Sequence, residues 1–461
     1  MSTTGAEPTA AEAGTPGIGR RRWYALALLF AINLLNFFDR QLPGALGEPI
    51  RREFGLSDTA LGVVGTVFTL VYAAVGLPIG RLVDRTNRVR LISAGVAGWS
   101  IMTAASGFVW NYSSLLVARI GVGLGEAVCA PAGQSLIGDL FPPERRARAL
   151  AVFMLGLPVG LFLAYFMSGL VGEALGWRAA FWFAGIPGLL LAGLILLVPE
   201  PLRGAAEQIS PDAARAAATG AQPIRTRPPT GAAASFKALL AIPTFWWIIA
   251  SGALHNFNMY AINSFQTPFL QRFHELGLQQ ANYISAVALG AVGVIGLLGG
   301  GWIADQFTER RAERRLLLAG GTMFVAAPCI YLAISQPSGS LVSFMILMGL
   351  GSTMMFVYYA TVYSALQDVI EPERRGTAVA LYFFAMYVLG ASFGPIALGA
   401  ISDFFARRAM AAAGATEMAE PFRAAGLHDA MFVIPTVALL AALVLFAASR
   451  TVTSDIRNRD L

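Results

Sequence analysis

The sequence predicts an all-α membrane protein whose twelve transmembrane helices form two six-helix bundles. Three observations predict it. Of 461 residues, 56% are hydrophobic and 13% charged, with a mean hydropathy of +0.62; a soluble domain carries about 25% charged residues. Apolar runs recur along nearly the whole chain. Two short charged sequences also appear twice, each at the matching place in a six-span unit.

A bilayer span needs roughly 20 mostly apolar residues at about 1.5 Å rise each. Residues 1–19, made mainly of Ala, Gly, Thr, Pro and Glu, cannot bury enough apolar surface to fold and are expected to be a disordered N-terminus. Residues 20–200 hold six runs, near 23–46, 58–83, 89–109, 113–140, 145–173 and 177–198. The first is too long for a signal-peptide core and lacks a small-residue cleavage site, so it reads as an uncleaved helix. Residues 201–236 scatter Pro201, Pro211, Pro223, Pro228 and Pro229 among Ala, Gly, Thr and Arg. They read as a flexible cytoplasmic linker with a short Ala-rich surface helix near 211–219. Residues 237–450 hold six more runs, near 243–270, 279–305, 314–335, 339–368, 374–404 and 428–449, and 451–461 form a tail.

Charge sets the expected orientation. Of the 33 Lys and Arg, Arg40 and Arg119 fall inside spans, seven lie between spans on the far side and 24 on the side of the termini. That asymmetry is the positive-inside signal, so both termini are expected in the cytoplasm, with the chain in the plasma (inner) membrane. The net charge of +6 then reflects orientation and lipid headgroups, and nucleic acid is not an expected partner. Cys129 and Cys329 lie in separate spans without CxxC spacing, and His255, His274 and His428 have no metal-ligand spacing, so neither cofactor nor metal is expected. His255 alone of the three lies inside a span; a satisfied polar residue is the simpler reading and a proton carrier the other.

The repeated sequences are Gly80–Arg81–Leu82–Val83–Asp84 with Gly301–Trp302–Ile303–Ala304–Asp305, and Pro143–Glu144–Arg145–Arg146 with Pro372–Glu373–Arg374–Arg375. Two matches in register mark a parallel internal repeat, the pattern of transporters whose halves rock about a central site.

These residues resemble the major facilitator superfamily. Gly80 to Arg88 is similar to that family's signature between spans two and three, and Arg119–Ile120–Gly121–Val122–Gly123–Leu124–Gly125–Glu126–Ala127 to its fourth-span motif. Thr308–Glu309–Arg310–Arg311 departs from the pattern where the second repeat should turn tightly. A narrower resemblance, to the spinster family, rests on Asn36–Phe37–Phe38–Asp39–Arg40, Ala118–Arg119, Gly125–Glu126–Ala127, Leu140 to Arg146 and Gly156–Leu157–Pro158–Val159–Gly160. It implies alternating-access transport of lysolipids, with sphingosine-1-phosphate that family's best-known substrate in animals, and it implies that spans one, four, seven and ten line the cavity.

A charged side chain at mid-membrane costs about 2.5–3.5 kcal/mol even on the lenient insertion scale, so Asp39, Arg40, Arg119 and Glu126 are not expected to face lipid. One reading makes them a structural salt-bridge set between spans one and four. The other gives them transport, with Asp39 and Glu126 as proton sites and Arg40, Arg119 and Glu126 as substrate contacts. Helical rise puts Asp39 level with Arg119 towards the far side, with Glu126 deeper, so Asp39 is expected to exchange its proton as Arg119 approaches or leaves. Guanidinium offers planar paired donors to phosphate or carboxylate oxygens.

The second half supplies neutral and aromatic groups: His255, Asn256, Tyr260 and Asn263 in span seven, and Tyr359 and Tyr363 in span ten. Phe257, Met259 and Phe265 are expected beside an acyl chain or, equally, facing lipid. Gating is expected at Gly80, Asp84, Arg85, Arg88, Arg145, Asp305 and Arg374. In particular, the Asp84 carboxylate is expected to accept backbone N–H bonds from a helix start on the other half. Gly121, Gly123 and Gly125 lack the strand and soluble helix start of a nucleotide fingerprint and read as a close-packing face. Gly390 to Pro395 likewise predicts close packing and a bend. No GxSxG, HExxH or GxxxxGK[ST] sequence points to an enzyme or an ATP-driven pump. The expected partners are protons, membrane lipids and a small amphipathic or anionic substrate, either a lysophospholipid-like molecule or a sugar acid, carried by a monomer.

Overall fold

The computed structural model describes residues 16–204, 238–307, 311–371 and 374–459. The expected surface helix near 211–219, residues 308–310, where the second repeat should turn tightly, and Pro372–Glu373 lie outside them.

Twelve helical spans run along the chain. In the first half they are span 1 (Pro16–Ala45), span 2 (Asp58–Arg85), span 3 (Arg88–Ser106), span 4 (Tyr112–Glu126 continued by Cys129–Leu140), span 5 (Pro143–Met154 continued by Gly156–Leu175) and span 6 (Trp177–Ile195). In the second half they are span 7 (Pro243–Phe273), span 8 (Leu278–Ser285, a π-helical turn Ala286–Ala291, then Val292–Phe307), span 9 (Ala312–Ile334) and span 10 (Leu341–Val369). Span 11 joins Arg375–Ala385, a second π-helical turn Met386–Ala391 and Phe393–Ala412; span 12 joins Glu420–Met431 to Val433–Arg459.

Among the described residues ten of these meet a length and hydropathy standard for crossing a bilayer. The other two are span 3, which opens on Arg88 and Arg90, and span 7, whose His255, Asn256, Asn258, Asn263 and Gln266 are buried within the protein. The polar load of span 7 is tolerable because protein, not lipid, surrounds it; in span 3 Arg88 is buried and Arg90 lies exposed at the helix end. Expected boundaries move at both ends of the chain. Span 1 begins at Pro16, inside the stretch expected to be disordered, and span 12 runs to Arg459, through most of the expected tail.

Local sequence explains the ends. Asn87 caps span 3 by accepting from the Arg90 N–H at 2.9 Å, and Asn111 caps span 4 in a reciprocal box with Ser114. Small residues set the packing. A Cβ on Gly125 would fall on the Gly95 carbonyl of span 3, and one on Gly394 on the Phe257 carbonyl of span 7, so both glycine runs are contact faces.

The apolar core is asymmetric across the membrane. One cluster fills the first half on the side of the termini (Leu26, Trp99, Phe153) and a second its far side (Leu42, Val64, Phe181). The third spans the second half and takes in Ala45, Leu61, Leu161 and Tyr165 of the first. The two halves therefore share one core on the far side, and a cavity separates them on the side of the termini.

Candidate functional site: a charged ceiling over an aromatic cavity

The cavity between the halves has a volume of about 460 Å³. Of the expected substrate residues, Arg40, Asn256, Tyr260, Asn263, Tyr359 and Tyr363 line it. Spans 2, 5 and 11 also contribute, through Tyr72, Leu157 and Tyr387 among others, so the wall is wider than spans 1, 4, 7 and 10. Gly76, Gln134 and Ala380 place its mouth at the side of the termini. Of the three expected acyl-chain residues only Met259 lines it. Phe265 is fully buried in the far-side core and Phe257 is not in the wall; Phe37, Phe356, Phe383 and Phe384 supply the apolar surface instead.

Arg40 and Glu126 meet at the ceiling. Arg40 Nε donates to Glu126 Oε2 at 2.9 Å, and Asn36 Nδ2 donates to the same oxygen at 3.1 Å. Arg40 Nη2 donates to Asn36 Oδ1 at 2.8 Å and Nη1 to the Tyr387 hydroxyl at 3.1 Å. Its guanidinium lies over the Tyr72 ring, 4.3 Å from the centroid, where the ring quadrupole favours a cation. In this conformation Glu126, and not Asp39, holds an ion pair. The reason is side-chain direction. Helical side chains lean towards their own N-terminus. Span 1 starts on the side of the termini and span 4 on the far side, so Arg40 leans down and Glu126 up until they meet. The break after Glu126 leaves this carboxylate on the last turn of its helical piece.

Asp39 and Arg119 are both buried, but Arg119 Nη1 donates at 3.4 Å to the backbone carbonyl of Asp39, not to its carboxylate. Asp39 Oδ2 accepts from Thr103 Oγ1 at 3.2 Å. Arg119 lies 4.9 Å from the Phe68 centroid and, with Arg40, Tyr260 and Asn263, lines a separate void of about 20 Å³. A void of that size holds about one water, so a phosphate group does not fit between the two arginines in this conformation. Among the described residues Asp39 Oδ1, Glu126 Oε1 and Arg119 Nε are buried without a hydrogen-bond partner. Each carboxylate thus keeps one oxygen uncommitted.

His255 lies outside the cavity wall. Its ring stacks on Tyr358 at 4.1 Å and meets Tyr359 edge-on at 4.9 Å, and neither ring nitrogen has a hydrogen-bond partner among the described residues. The simpler expectation, a satisfied polar residue, is not what the structure shows.

The two halves are tied together on the far side. Arg272, at the end of span 7, donates Nε to Glu48 at 2.7 Å and both terminal nitrogens to Asp58, at 2.9 and 2.8 Å. Glu48 belongs to the short helix Gly47–Phe54 after span 1, and Asp58 opens span 2. Asp403 of span 11 accepts the backbone N–H groups of Asp58 and Thr59, at 3.0 and 2.9 Å, so a carboxylate of one half caps a helix start of the other. Arg51 reaches Glu420 at 2.8 Å. Burial alone would push the Glu48 carboxyl up, but Arg51 and Arg272 outweigh it and hold it down at about 2.

Similar chemistry was expected of Asp84 on the opposite face, which is open in this conformation. Asp84, Arg85, Arg145 and Asp305 are exposed on the open side and Gly80 is half-buried; Arg374 pairs with Glu371 within its own half. Arg88 does not bridge the halves either. It is buried, bonding Glu200 at 2.7 Å, Ser135 Oγ at 2.9 Å and Asp139, and so ties spans 3 and 4 to the chain beyond span 6.

Sequence reasoning missed Asn36, Tyr72, Tyr387 and the far-side set. Asn36 stood one turn before Arg40 in a quoted motif. Tyr387 carried no signal, because span 11 was not expected at the cavity.

The Major Facilitator Superfamily profile matches residues 29–395. A Mus musculus protein, spinster homolog 3, is 32% identical over 396 residues, covering 83% of this chain and 75% of that one. The chain belongs to the major facilitator superfamily, in its spinster family. Among spinster-type structures, a bacterial homologue of the human lysosomal transporter spinster in an inward-facing, unoccupied conformation matches with a TM-score of 0.83 and 28% identity, over 96% of this chain and 99% of that one. An MFS-type efflux pump from Mycolicibacterium smegmatis is 32% identical over 385 residues, 83% of this chain and 85% of that pump.

Proposed function

We propose that this spinster-family transporter is a proton-coupled carrier of a lysophospholipid-like amphiphile, working by alternating access with its termini in the cytoplasm, and that it performs no chemical conversion. The observation that carries the reading is the cavity itself: a buried Arg40–Glu126 pair forms its ceiling and aromatic and aliphatic side chains form its walls. A zwitterionic or anionic headgroup can compete for Arg40 at the top while a chain lies against Phe356, Phe383 and Phe384. Displacing Glu126 from Arg40 deep in a low-dielectric site favours a proton on the carboxylate, which ties substrate to proton. The efflux pump among the relatives favours outward movement.

A small organic anion or sugar acid would use the same arginine but leave the apolar wall idle. Binding to purified protein separates the two: long-chain lysophosphatidylethanolamine should raise the melting temperature saturably, and glucuronate should not. Saturable glucuronate binding without lysolipid binding would overturn the lipid reading.

A further inference from the structure

Among the described residues, one hydrogen bond links the four membrane-embedded charges of the first half to the second half: Arg40 Nη1 to the Tyr387 hydroxyl, 3.1 Å. Tyr387 does not sit on a regular helix. It lies in the π-helical turn Met386–Ala391, and such turns insert a residue into a helix and re-aim the side chains around it. The consequences are visible nearby. The Tyr387 carbonyl accepts both the backbone N–H and the hydroxyl of Ser392, each at 2.9 Å. Ser392 in turn meets span 2: its carbonyl accepts from Thr66 at 2.6 Å and its hydroxyl pairs with Thr69 at 3.0 Å. The Tyr387 ring lies 5.0 Å from Tyr72 of span 2 and 6.1 Å from Tyr260 of span 7. One irregular turn thus touches the ion pair on one side and the inter-half seam on the other.

We propose that Tyr387 is the positioning residue through which the state of the Arg40–Glu126 pair is transmitted to the second half, an inference that rests on proton coupling as read above. While Glu126 is charged, its bond to Nε holds the guanidinium fork in one plane and aims Nη1 at the Tyr387 hydroxyl. When Glu126 takes a proton or substrate takes Arg40, that constraint goes, the fork turns and the tie to span 11 is released. The charged and titratable groups around the pair are Asp39 on span 1, Tyr72 on span 2, Arg119 and Cys129 on span 4, Tyr260 on span 7 and Tyr387 itself on span 11. Of these only Tyr387 bonds the pair from the second half among the described residues. A two-state element biased from both sides is the physical content of such coupling.

The test needs no substrate. Spin labels at Arg90→Cys and Gln306→Cys, both exposed and in opposite halves on the side of the termini, report the opening of the cavity in protein whose Cys129 and Cys329 are replaced by alanine. The parent protein should change its distance distribution between acidic and mildly alkaline pH, Glu126→Gln should abolish that change, and Tyr387→Phe should lose most of it while its melting temperature stays close to the parent's. Thr66→Val, which cuts the neighbouring seam bond but not the tyrosine, should keep the pH response even where the resting distribution moves. A full pH response in Tyr387→Phe, or an equal loss in Thr66→Val, overturns the role of Tyr387 alone. No pH response in the parent overturns the proton-coupled reading and this inference with it.

Discussion

At the scale of single residues, Arg40 is the most committed side chain in the site. Its fork serves Glu126, Asn36 and Tyr387 at once, a task that needs planar donors with fixed spacing. Lysine offers a point charge instead. Arg40→Lys should therefore keep the fold but reduce transport at least about tenfold, measured as uptake of a fluorescent lysophosphatidylethanolamine into liposomes. Arg40→Ala removes one partner of a buried pair, which costs about 3–5 kcal/mol; its thermal stability in detergent should fall well below that of a double Arg40→Ala, Glu126→Gln variant. Equal stability of the two would mean that Glu126 is already neutral in the resting protein.

At the scale of elements, the spans were legible because hydropathy and helical rise are local properties. The apolar runs, the Asn87 and Asn111 caps and the packing roles of Gly125 and Gly394 all follow from residues a few positions apart. Gly390 to Pro395 pointed to a bend in span 11; what the sequence did not disclose is the kind of irregularity, or that span 8 carries one too. Nothing in Met386–Ala391 predicts a π turn, and without that turn Tyr387 has no reason to face the cavity. The partner of Arg40 was equally hidden, because it depends on the opposite lean of side chains on two antiparallel spans. The packing role has its own test. Gly125→Leu would drive a side chain into span 3, and overpacking of this kind costs about 1–3 kcal/mol. It should lower the melting temperature without removing the pH response, whereas Glu126→Gln, one residue on, should remove the pH response.

At the scale of the whole molecule, the far side is held by charges and the near side is open. Glu48, held at about 2, contributes its stabilisation fully above the usual carboxylate range and loses it only as pH falls through that low value. The lock therefore stays charged at physiological pH and is not the sensor. Arg272→Ala leaves Asp58 buried without its cation, while Glu48 keeps Arg51 and Arg52; losing one partner of a buried pair costs about 3–5 kcal/mol against the closed form, so far-side labels should show the open population raised at every pH. The midpoint of its pH dependence should match the parent's, since that midpoint belongs to the ceiling of the cavity. A shifted midpoint would place the sensor in the lock. The most direct measurement is uptake of fluorescent lysophosphatidylethanolamine into liposomes with and without an imposed pH gradient, for the parent protein and Glu126→Gln. The account predicts that the gradient accelerates uptake by the parent and leaves Glu126→Gln unaffected; equal acceleration of both would contradict it.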